Sequence, residues 1–598
     1  MIRLEERIRI AAAEAIIELY ETEVNSNNIQ VQGTRKDLTG DFTIVVFPLL
    51  KISKKNPVVT GEEIGRKLLE KINDIDSFEV VKGFLNLILK TDFWINHLNT
   101  ILTCNKYGQK EANEDAQLVM VEYSSPNTNK PLHLGHIRNN LLGFSVSQLL
   151  KANGKRVEMV NLVNDRGIHI CKSMLAWQKW GKGASPESTG KKGDRLVGDY
   201  YVLFEKALQK EIGEMIEKGA DKEAAVKNAP LLLEAQEMLR EWEAGNDEVI
   251  KLWRKMNAWV YEGFDKTYAD LGVWFDKTYY ESETYQLGKN LVDKGLKDSI
   301  LFQKEDGSVW ADLTDDGLDE KLLLRSDGTS VYMTQDLGTA HQRFADSEFS
   351  NHVYVVGNEQ IYHFKVLSII LKKLGYEWAD RLFHLSYGMV ELPEGKMKSR
   401  EGKVVDADDL IREMVDSAAE VSNELGKLDG FPDLEKRKIY SQIALGALKY
   451  FILKVDPIKT MLFNPKESID FNGNTGPFIQ YTFVRIKSVL RKAYEQGMVI
   501  PEQVDPRTEV SEKEIALIRK LYEYPDLLDE AGLLYSPALV ANYLYDLVKE
   551  YNHFYQYHQI IKEEDSLKRD FRLALSNFVA NNIEDGMNIL GIEMPERM

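Results

Sequence analysis

The sequence predicts a multidomain α/β protein with a Rossmann-type parallel sheet in its central domain. The first observation is length, because 598 residues are enough for three to five domains. The second is the run 118–163, whose pattern indicates strand, loop, helix and strand in succession. The third is the stretch from Lys436 onward, where the spacing of apolar residues is helical. We therefore expect an N-terminal α/β domain, a central sheet domain with a helical insertion, and an all-α C-terminal domain.

Composition narrows the class of protein without naming a function. Hydrophobic residues make up 43% and charged residues 28% of the chain, as in ordinary globular proteins. Two cysteines, Cys104 and Cys171, are too few for a CxxC zinc site or a disulfide framework, so we expect no zinc and a reducing compartment. We find no secretory signal and no apolar run near the roughly 18 residues of a membrane span, which predicts a cytoplasmic protein without membrane contact.

The net charge of −18 argues against a non-specific nucleic-acid binder. A large RNA held by local basic patches and by its shape remains compatible with that charge.

The central feature is the loop between the apolar segment 118–123 and a helical pattern that ends at Asn153-Gly154. A helix N-terminus offers free backbone N–H groups and the positive end of its dipole, which suits a phosphate. His133 and His136 lie three residues apart at this helix start, where they can donate to phosphate oxygens in a transition state. Gly135 allows a ligand to approach the backbone, and Lys130 adds a positive charge.

The run from Ser125 to Arg138, SPNTNKPLHLGHIR, resembles the HIGH region of class I aminoacyl-tRNA synthetases. Its Ser-Pro-Asn prefix and the lysine three residues before the first histidine are similar to the arginyl-tRNA synthetases in particular. The resemblance implies an ATP-dependent enzyme in which His133, His136 and Lys130 are catalytic and Leu134 and Gly135 bind ATP. It also implies Mg²⁺ with the ATP, and tRNA(Arg) and L-arginine as the other substrates.

Residues 1–112 are expected to form the N-terminal domain. The pattern predicts helices over about 4–22 and 93–102 and strands over 42–47 and 84–89. The segment 82–86 is similar to one in the family's N-terminal domain, which touches the outer corner of the tRNA. The resemblance therefore implies that Asn86 binds tRNA, whereas a residue of the sheet core is the other interpretation of this position.

Residues 113–180 and 321–435 are expected to be the two halves of the catalytic domain, and 181–320 the connective insertion of the class. Within the insertion, the Gly/Ser/Lys-rich stretch 181–198 predicts a loop, and the charged residues after it predict helices. In the second half, Asp327-Gly328 predicts a turn. A strand at 353–356, a helix over about 361–374 and a strand over 382–390 complete a second βαβ unit.

A glycine-bracketed basic segment follows this second unit and favours phosphate binding. It resembles the KMSK loop of class I synthetases, although Ser399 stands where the second lysine is usual. The resemblance assigns ATP binding to Lys396, Met397, Lys398, Ser399 and Arg400. Either Lys130 or Lys398 replaces the missing lysine in binding ATP.

A buried guanidinium needs an anionic partner and several acceptors. Asp336 can accept a bidentate pair, Gln360 adds a carbonyl oxygen, and Tyr332 adds a hydroxyl or a flat face. The resemblance assigns these three residues to the arginine side chain. It assigns the α-amino and carboxylate ends to the residues before the histidines, namely Glu122, Ser124 and Asn127.

Residues 436–598 resemble the family's helical anticodon-binding domain. A long helix is expected after Asn474, and the aromatic run 543–558 is either core or a surface that stacks on unpaired bases. The resemblance assigns tRNA binding to Gln480, Tyr481 and Met598, and a monomer is the family's expectation.

Two other functions compete with an arginine–tRNA ligase. A nucleotidyltransferase also carries an HxGH loop and attacks ATP at the α-phosphorus, but the chain length, the helical C-terminus and the arginine pocket argue against it. A non-catalytic synthetase-like protein is the second alternative, and the intact His133, His136 and Lys130 argue against that.

Overall fold

The computed structural model describes residues 3–35, 37–391, 405–424, 428 and 430–598. The chain forms two compact units. The first unit comprises Met1–Tyr107, Val489–Glu523 and Lys549–Ala580. The second unit comprises Gly108–Ser488, Tyr524–Val548 and Asn581–Met598.

The elements are numbered in chain order. The strands are β1 (Val31–Gly33), β2 (Phe42–Val45), β3 (Ile75–Val81), β4 (Phe84–Leu89), β5 (Leu118–Glu122), β6 (Arg156–Val163), β7 (Lys277–Tyr280), β8 (Phe302–Gln303), β9 (Val309–Ala311), β10 (Lys321–Leu324), β11 (Asn351–Gly357), β12 (Leu382–Tyr387), β13 (Val390–Glu391) and β14 (Met461–Leu462). The helices are α1 (Leu4–Tyr20), α2 (Leu50–Ser53), α3 (Pro57–Lys71), α4 (Thr91–Ile101), α5 (Leu134–Ala152), α6 (Ile168–Trp180), α7 (Pro186–Thr189), α8 (Gly193–Glu217), α9 (Lys222–Asn228), α10 (Pro230–Glu243), α11 (Asp247–Leu271), α12 (Glu281–Lys297), α13 (Tyr332–Asp346), α14 (Ile361–Lys373), α15 (Ala407–Glu424), α16 (Asp433–Leu453), α17 (Pro465–Ser468), α18 (Gly476–Glu495), α19 (Glu512–Tyr522), α20 (Tyr524–Leu533), α21 (Pro537–Tyr557) and α22 (Ser566–Ile589).

The first unit is built on an antiparallel sheet with strand order β1-β2-β4-β3. Helix α3 packs on this sheet because its buried Ile64 and Leu68 lie four residues apart, on one face. Leu85 and Leu87 of β4 are fully buried beneath it. Asp41, beside the sheet, forms an ion pair with Arg519 of α19, which attaches this C-terminal helix to the N-terminal sheet within the unit.

The second unit contains a five-stranded parallel sheet with strand order β12-β11-β5-β6-β7. The chain runs outward from β5 through β6 to β7 and then returns to the other side of β5 with β11 and β12. The strand order therefore reverses between β5 and β11. In such sheets ligands bind outside the carboxyl ends of the strands at this switch point.

Helix α5 joins β5 to β6 and is buried along almost its whole length. It ends at Asn153, and Gly154 follows with a φ of 75°, which favours glycine. The predicted βαβ unit and the predicted fold class are confirmed.

Three parts of the second unit differ from the sequence prediction. The stretch 181–198 is not a single loop, because α7 lies inside it and α8 already begins at Gly193. A Cβ at position 193 would lie 2.0 Å from the backbone oxygen of Trp259, so this glycine serves close packing against α11 rather than loop freedom. β7 joins the parallel sheet from within the predicted insertion, and β8–β10 form a separate antiparallel sheet.

The aromatic run in α21 is mainly core, as the first of the two interpretations held. Tyr543, Tyr551 and Phe554 are buried, whereas Tyr557 is exposed. In the part of the chain that the structure describes, every helix is too short or too polar to cross a bilayer.

Candidate active site

The chain leaves β5 through a strained turn that begins the histidine loop, defined here as residues 124–133. Ser124 and Ser125 have φ values of 79° and 46°. For non-glycine residues this left-handed region costs of order 1 kcal/mol or more each. Asn139 of α5 accepts a hydrogen bond from the Ser124 N–H, and Asn161 of β6 accepts one from the Ser125 N–H at 3.0 Å. Side chains of the same βαβ unit therefore hold the turn in place.

His133 and His136 together cap the N-terminus of α5. The Gly135 N–H donates to Nδ1 of His133 at 3.1 Å, and the His133 N–H donates to Nδ1 of His136 at 3.2 Å. The centroids of the two imidazole rings are 4.0 Å apart. Because a backbone N–H can only donate, neither Nδ1 carries a proton, and each neutral ring has its proton on Nε2. The pair therefore offers two Nε2–H donors.

The electrostatic environment keeps both imidazoles neutral. Burial, together with the positive charge of Lys130, lowers the pKa of His133 to about 4. Burial also lowers the pKa of His136 well below its usual range, and the neighbouring His133 and Lys130 add to this effect. At neutral pH the donors are uncharged, and their Nδ1 atoms remain available for the helix cap.

A cavity of about 370 Å³ opens beside the histidine loop. Lys130 and His133 contribute to its wall, and burial lowers the pKa of Lys130. The lining residues are Asn127, Asn129, Lys130, Pro131, Leu132, His133, His169, Arg195, Gly198, Asp199, Tyr201, Val202, Asp406 and Asp409. The cations and amides of this wall suit a polar, phosphate-bearing ligand. Its three carboxylates would repel the phosphates, although Asp409 is paired with Arg195.

The chain segment that begins α15 lies directly on the histidine loop. The Leu134 N–H donates to the Val405 carbonyl at 3.2 Å, and the Ala407 N–H donates to the Leu132 carbonyl at 2.9 Å. The predicted KMSK-like loop precedes this segment. Its residues Lys396, Met397, Lys398, Ser399 and Arg400 lie outside the described residues, so their roles stay predictions.

Asp336 is the fifth residue of α13, just beyond its first turn. Its carboxylate is hydrogen bonded to Nε2 of His363 at 2.6 Å, and its side chain is 32% exposed. Its charge also helps to raise the pKa of Tyr354, although burial is the main cause. Tyr354 pairs in the sheet with Glu122, at the carboxyl end of β5. The charge of Asp336 therefore acts on a residue of β11 that is paired with the end of β5.

The two other residues predicted for the arginine side chain are accessible. Tyr332 is 72% exposed at the first position of α13. Gln360 is exposed at the end of a short 3-10 helix that follows β11.

Glu122 has a more buried environment than the sequence suggests. It is 4% exposed and forms an ion pair with Arg343, which is itself 1% exposed. Ser125 donates to the second carboxylate oxygen at 3.0 Å. Burial alone would raise the pKa of Glu122, but the charge of Arg343 and the interactions with His352 and Ser125 together outweigh it and hold the pKa at about 2. The predicted contact of Glu122 with an α-amino group stays a prediction, and that ammonium would share the carboxylate with Arg343.

Glu281 is a functional candidate that the sequence did not reveal. It is the first residue of α12, directly after β7, and only 7% exposed. Burial raises its pKa to about 7; the positive charge of Arg166 opposes the shift, and Asp165 and Asp336 add to it. Glu281 is a buried acid that is close enough to Asp336 for their charges to interact. Two such carboxylates are suited to binding a cationic ligand. The signal in the sequence was an acidic residue at the end of a strand, but β7 was not predicted.

The comparisons with known proteins agree with this geometry. Three family models match successive parts of the chain: the N-terminal domain of arginyl-tRNA synthetase at 6–89, the catalytic domain of class I tRNA synthetases (R) at 97–464, and the DALR anticodon-binding domain at 479–598. The arginine–tRNA ligase of Parabacteroides distasonis is 59% identical over 595 residues, with 100% of both chains covered. That of Porphyromonas gingivalis is 58% identical over 593 residues, with 99% of both chains covered. The chain belongs to the arginine–tRNA ligase family.

Membership of the arginine–tRNA ligase family confirms the predicted enzyme class, the predicted function and the use of ATP. The fold agrees as well. The arginyl-tRNA synthetase of Thermus thermophilus superposes with a TM-score of 0.79 at 24% identity, and each chain is covered in full.

The residues that this family resemblance assigned to tRNA differ in accessibility. Asn86 is fully buried and accepts a hydrogen bond from Thr43 at 2.7 Å inside the sheet. Gln480 is also buried, and its amide donates to the backbone carbonyls of Gln442 and Glu593, both at 3.0 Å. Both side chains therefore stabilise the fold here. Their contact with tRNA stays a prediction.

Tyr481 and Met598, by contrast, are partly exposed. The guanidinium of Arg485 lies 4.9 Å from the centre of the Tyr481 ring. The assignment of these two residues to tRNA binding also stays a prediction.

Asp165 has a structural role. It is 1% exposed, its carboxylate accepts hydrogen bonds from Ser282 and Tyr261, and its backbone oxygen accepts one from Trp253. It therefore links the end of β6 to α11 and α12. Among the described residues, no cluster of three or more His, Cys, Asp or Glu side chains is placed to hold a metal ion.

Proposed function

We propose that the protein activates L-arginine with ATP and transfers it to the 3′-terminal adenosine of tRNA(Arg). The arginine carboxylate attacks the α-phosphorus of ATP, which gives arginyl-adenylate and releases pyrophosphate. A hydroxyl of the terminal ribose then attacks the adenylate carbonyl, which gives arginyl-tRNA and releases AMP. The observation that carries this proposal is the neutral histidine pair at the N-terminus of α5, beside the switch point of the sheet.

The histidine pair acts on the charge that spreads over the phosphates in the first step. Both Nδ1 atoms are used in the helix cap, so each ring has its donor on the Nε2 side. Two preorganised donors at a helix N-terminus can stabilise extra negative charge on phosphate oxygens without rearranging. The uncharged state of both rings lets them donate without first losing or gaining a proton.

Lys130 is assigned to the triphosphate, because it lines the same cavity as His133. Leu134 and Gly135 offer backbone at the helix start, and the KMSK-like residues Lys396, Met397, Lys398, Ser399 and Arg400 supply further phosphate contacts. We assign Mg²⁺ to the ATP phosphates, as part of the Mg·ATP substrate. Whether Lys398 or Lys130 replaces the absent second lysine is open to a direct test by substitution.

The arginine side chain is assigned to Asp336, Glu281, Tyr332 and Gln360. A guanidinium between two carboxylates can pair with both, and the tyrosine and amide add further partners. Lysine carries a single ammonium on a longer stem and leaves part of this set unpaired. Unpaired polar groups in such a site can reject the wrong substrate by roughly 10⁴-fold. Glu122, Ser124 and Asn127 are assigned to the α-amino and carboxylate ends.

The remaining assignments follow the family. They comprise the domain boundaries given above, a monomeric and cytoplasmic enzyme, and tRNA contacts from Asn86, Gln480, Tyr481 and Met598.

The KM for arginine is expected to depend on pH through Glu281. Its pKa of about 7 means that the carboxylate is largely protonated at pH 6 and ionised at pH 8. Because only the ionised form attracts a guanidinium, KM should fall by several-fold as the pH rises from 6 to 8. Steady-state kinetics of the wild type and of Glu281→Gln across this range give the test. The variant should have a raised KM that changes little with pH, and an equally steep profile in both proteins would exclude Glu281.

The proposed function is tested by arginine-dependent ATP–pyrophosphate exchange, measured with and without tRNA(Arg), and by charging of that tRNA. Exchange that requires arginine, together with arginyl-tRNA formation, supports the proposal. A nucleotidyltransferase would exchange pyrophosphate without arginine, and a non-catalytic relative would give neither signal. Replacing arginine by lysine is the control for the pocket, since no exchange above background is expected.

A further inference from the structure

The start of α8, in the helical insertion, touches two parts of the active site at once. One contact is with the histidine loop at Gly198. A Cβ at position 198 would lie 2.8 Å from Cδ of Pro131, so glycine lets α8 approach the loop closely. The other contact is with the start of α15, which lies beside the same cavity through Asp406 and Asp409.

The contact with α15 consists of charged groups. The ammonium of Lys192 pairs with Asp408 and lies 3.2 Å from Asp194, which is fully buried. Thr267 of α11 donates to the second oxygen of Asp408 at 2.9 Å. The guanidinium of Arg195 pairs with Asp409 at 2.8 Å. Two helix N-termini thus meet through carboxylates that suit their dipoles and cations that neutralise those carboxylates.

The start of α15 is in turn bonded to the residues on either side of His133. The Leu132 carbonyl accepts from Ala407, and the Leu134 N–H donates to Val405. The Asp406 carboxylate accepts from the backbone of Asp408 at 2.9 Å, which fixes this segment as the cap of α15. A displacement of Asp408 would therefore be transmitted to the backbone that carries His133.

We propose that Lys192 and Arg195 are positioning residues for His133. Their ion pairs with Asp408 and Asp409 hold residues 405–407 against residues 132–134 and so set the direction of the Nε2–H donor of His133. This inference rests on the proposed role of His133 in adenylate formation. It gives the start of α8, within the insertion, a role in positioning a group for the chemical step.

The positioning role differs from a purely structural one in what it changes. An error of about 1 Å in a donor aimed at a transition state lowers kcat strongly. The arginine pocket, by contrast, is formed by α12, α13 and the residues after β11, and none of the ion pairs involves these elements. The inference therefore predicts a loss of kcat for arginine-dependent exchange without a matching change in the KM for arginine.

The first variant is Asp408→Asn, which keeps the size of the side chain and an acceptor for Thr267 but removes the charge opposite Lys192. With tRNA(Arg) present, kcat for exchange should fall about 5- to 10-fold, and the KM for arginine should stay within about two-fold. The matched control is Asp416→Asn, on an exposed position of the same helix, which should leave both values unchanged. An unchanged kcat in Asp408→Asn would overturn the inference.

A double-mutant cycle with His133→Asn decides whether the effect passes through that histidine. Without the Nε2–H donor there is nothing left to position, so adding Asp408→Asn should lower the residual kcat less than two-fold. The same 5- to 10-fold loss in both backgrounds would overturn the inference. If wild-type protein shows no arginine-dependent exchange at all, the proposed function itself has failed, and the two failures are thus distinct.

If Asp408→Asn lowers the melting temperature, the inference can be tested instead by exchanging the charges of the more exposed ion pair, Arg195 and Asp409. Arg195→Asp and Asp409→Arg should each lower kcat about 3- to 5-fold, and the double variant should recover part of this loss and be more active than either single variant. Failure of the double variant to recover, with an unchanged melting temperature, would contradict the ion-pair mechanism.

Discussion

Replacing Asp336 by asparagine is expected to raise the KM for arginine about 10²- to 10³-fold and to leave the KM for ATP within about three-fold. Asparagine keeps the shape of the side chain and an oxygen that can accept from His363, so the local fold should persist. The variant loses the negative charge that pairs with the substrate guanidinium. Removing one partner of a partly desolvated, charge-assisted pair costs about 3–4 kcal/mol, at the lower end of the range for buried pairs, which corresponds to this change in KM.

Exchange kinetics with arginine and ATP varied separately measure this effect. Glu348→Gln, at an exposed position just after α13, is the matched control and should behave as wild type. Asp336→Asn should also narrow the preference for arginine over lysine, because the fork-shaped acceptor that lysine cannot satisfy is gone. An unchanged KM for arginine would remove Asp336 from the pocket.

The parts of the fold that could be predicted from sequence are those whose local pattern of residues fits only one type of secondary structure. β5 is a continuous apolar run because both faces of a parallel sheet are covered, and α5 has a clear stop at Asn153-Gly154. β7 could not be predicted in this way, because its four residues, KTYY, carry no apolar run. It is a strand because it pairs with β6, and Asp276 just before it accepts from the Met159 N–H at 2.8 Å. That pairing is tertiary and leaves no local signal.

The same distinction applies to the site. His133, His136, Lys130 and Asp336 could be proposed from the sequence because each belongs to a short segment that resembles a segment of the family. Glu281 could not, since its significance depends on burial beside Asp336, in another helix.

Contacts between segments that are distant in the sequence also could not be predicted. Arg343 neutralises Glu122 from α13, and His363 holds Asp336 from α14. No sequence spacing encodes these contacts, because α12, α13 and α14 meet only in the folded unit. Prediction from sequence therefore selects candidate residues for the chemistry and misses those that set their charge and orientation.

The histidine pair allows a sharper test than loss of activity alone. His133→Asn is expected to lower kcat for arginine-dependent exchange about 10²- to 10³-fold and to leave the melting temperature nearly unchanged. The side-chain oxygen of asparagine lies close to the position of Nδ1 and can accept from the Gly135 N–H, and asparagine is among the best residues at a helix N-cap. It has no donor at the position of Nε2. The loss of one preorganised donor to a developing charge accounts for the fall in kcat.

His133→Gln is expected to give the opposite pattern. Its amide N–H₂ group can reach the position of Nε2, whereas nothing remains at the position of Nδ1 to cap the helix. We therefore expect a fall in kcat of only about 10-fold but a loss of about 1 kcal/mol of stability, seen as a lower melting temperature. Exchange kinetics and thermal unfolding of the two variants separate the donor from the cap. If asparagine retained most of the activity and glutamine did not, Nδ1 rather than Nε2 would be the group that acts on the phosphates, and the tautomer derived from the two backbone hydrogen bonds would be wrong.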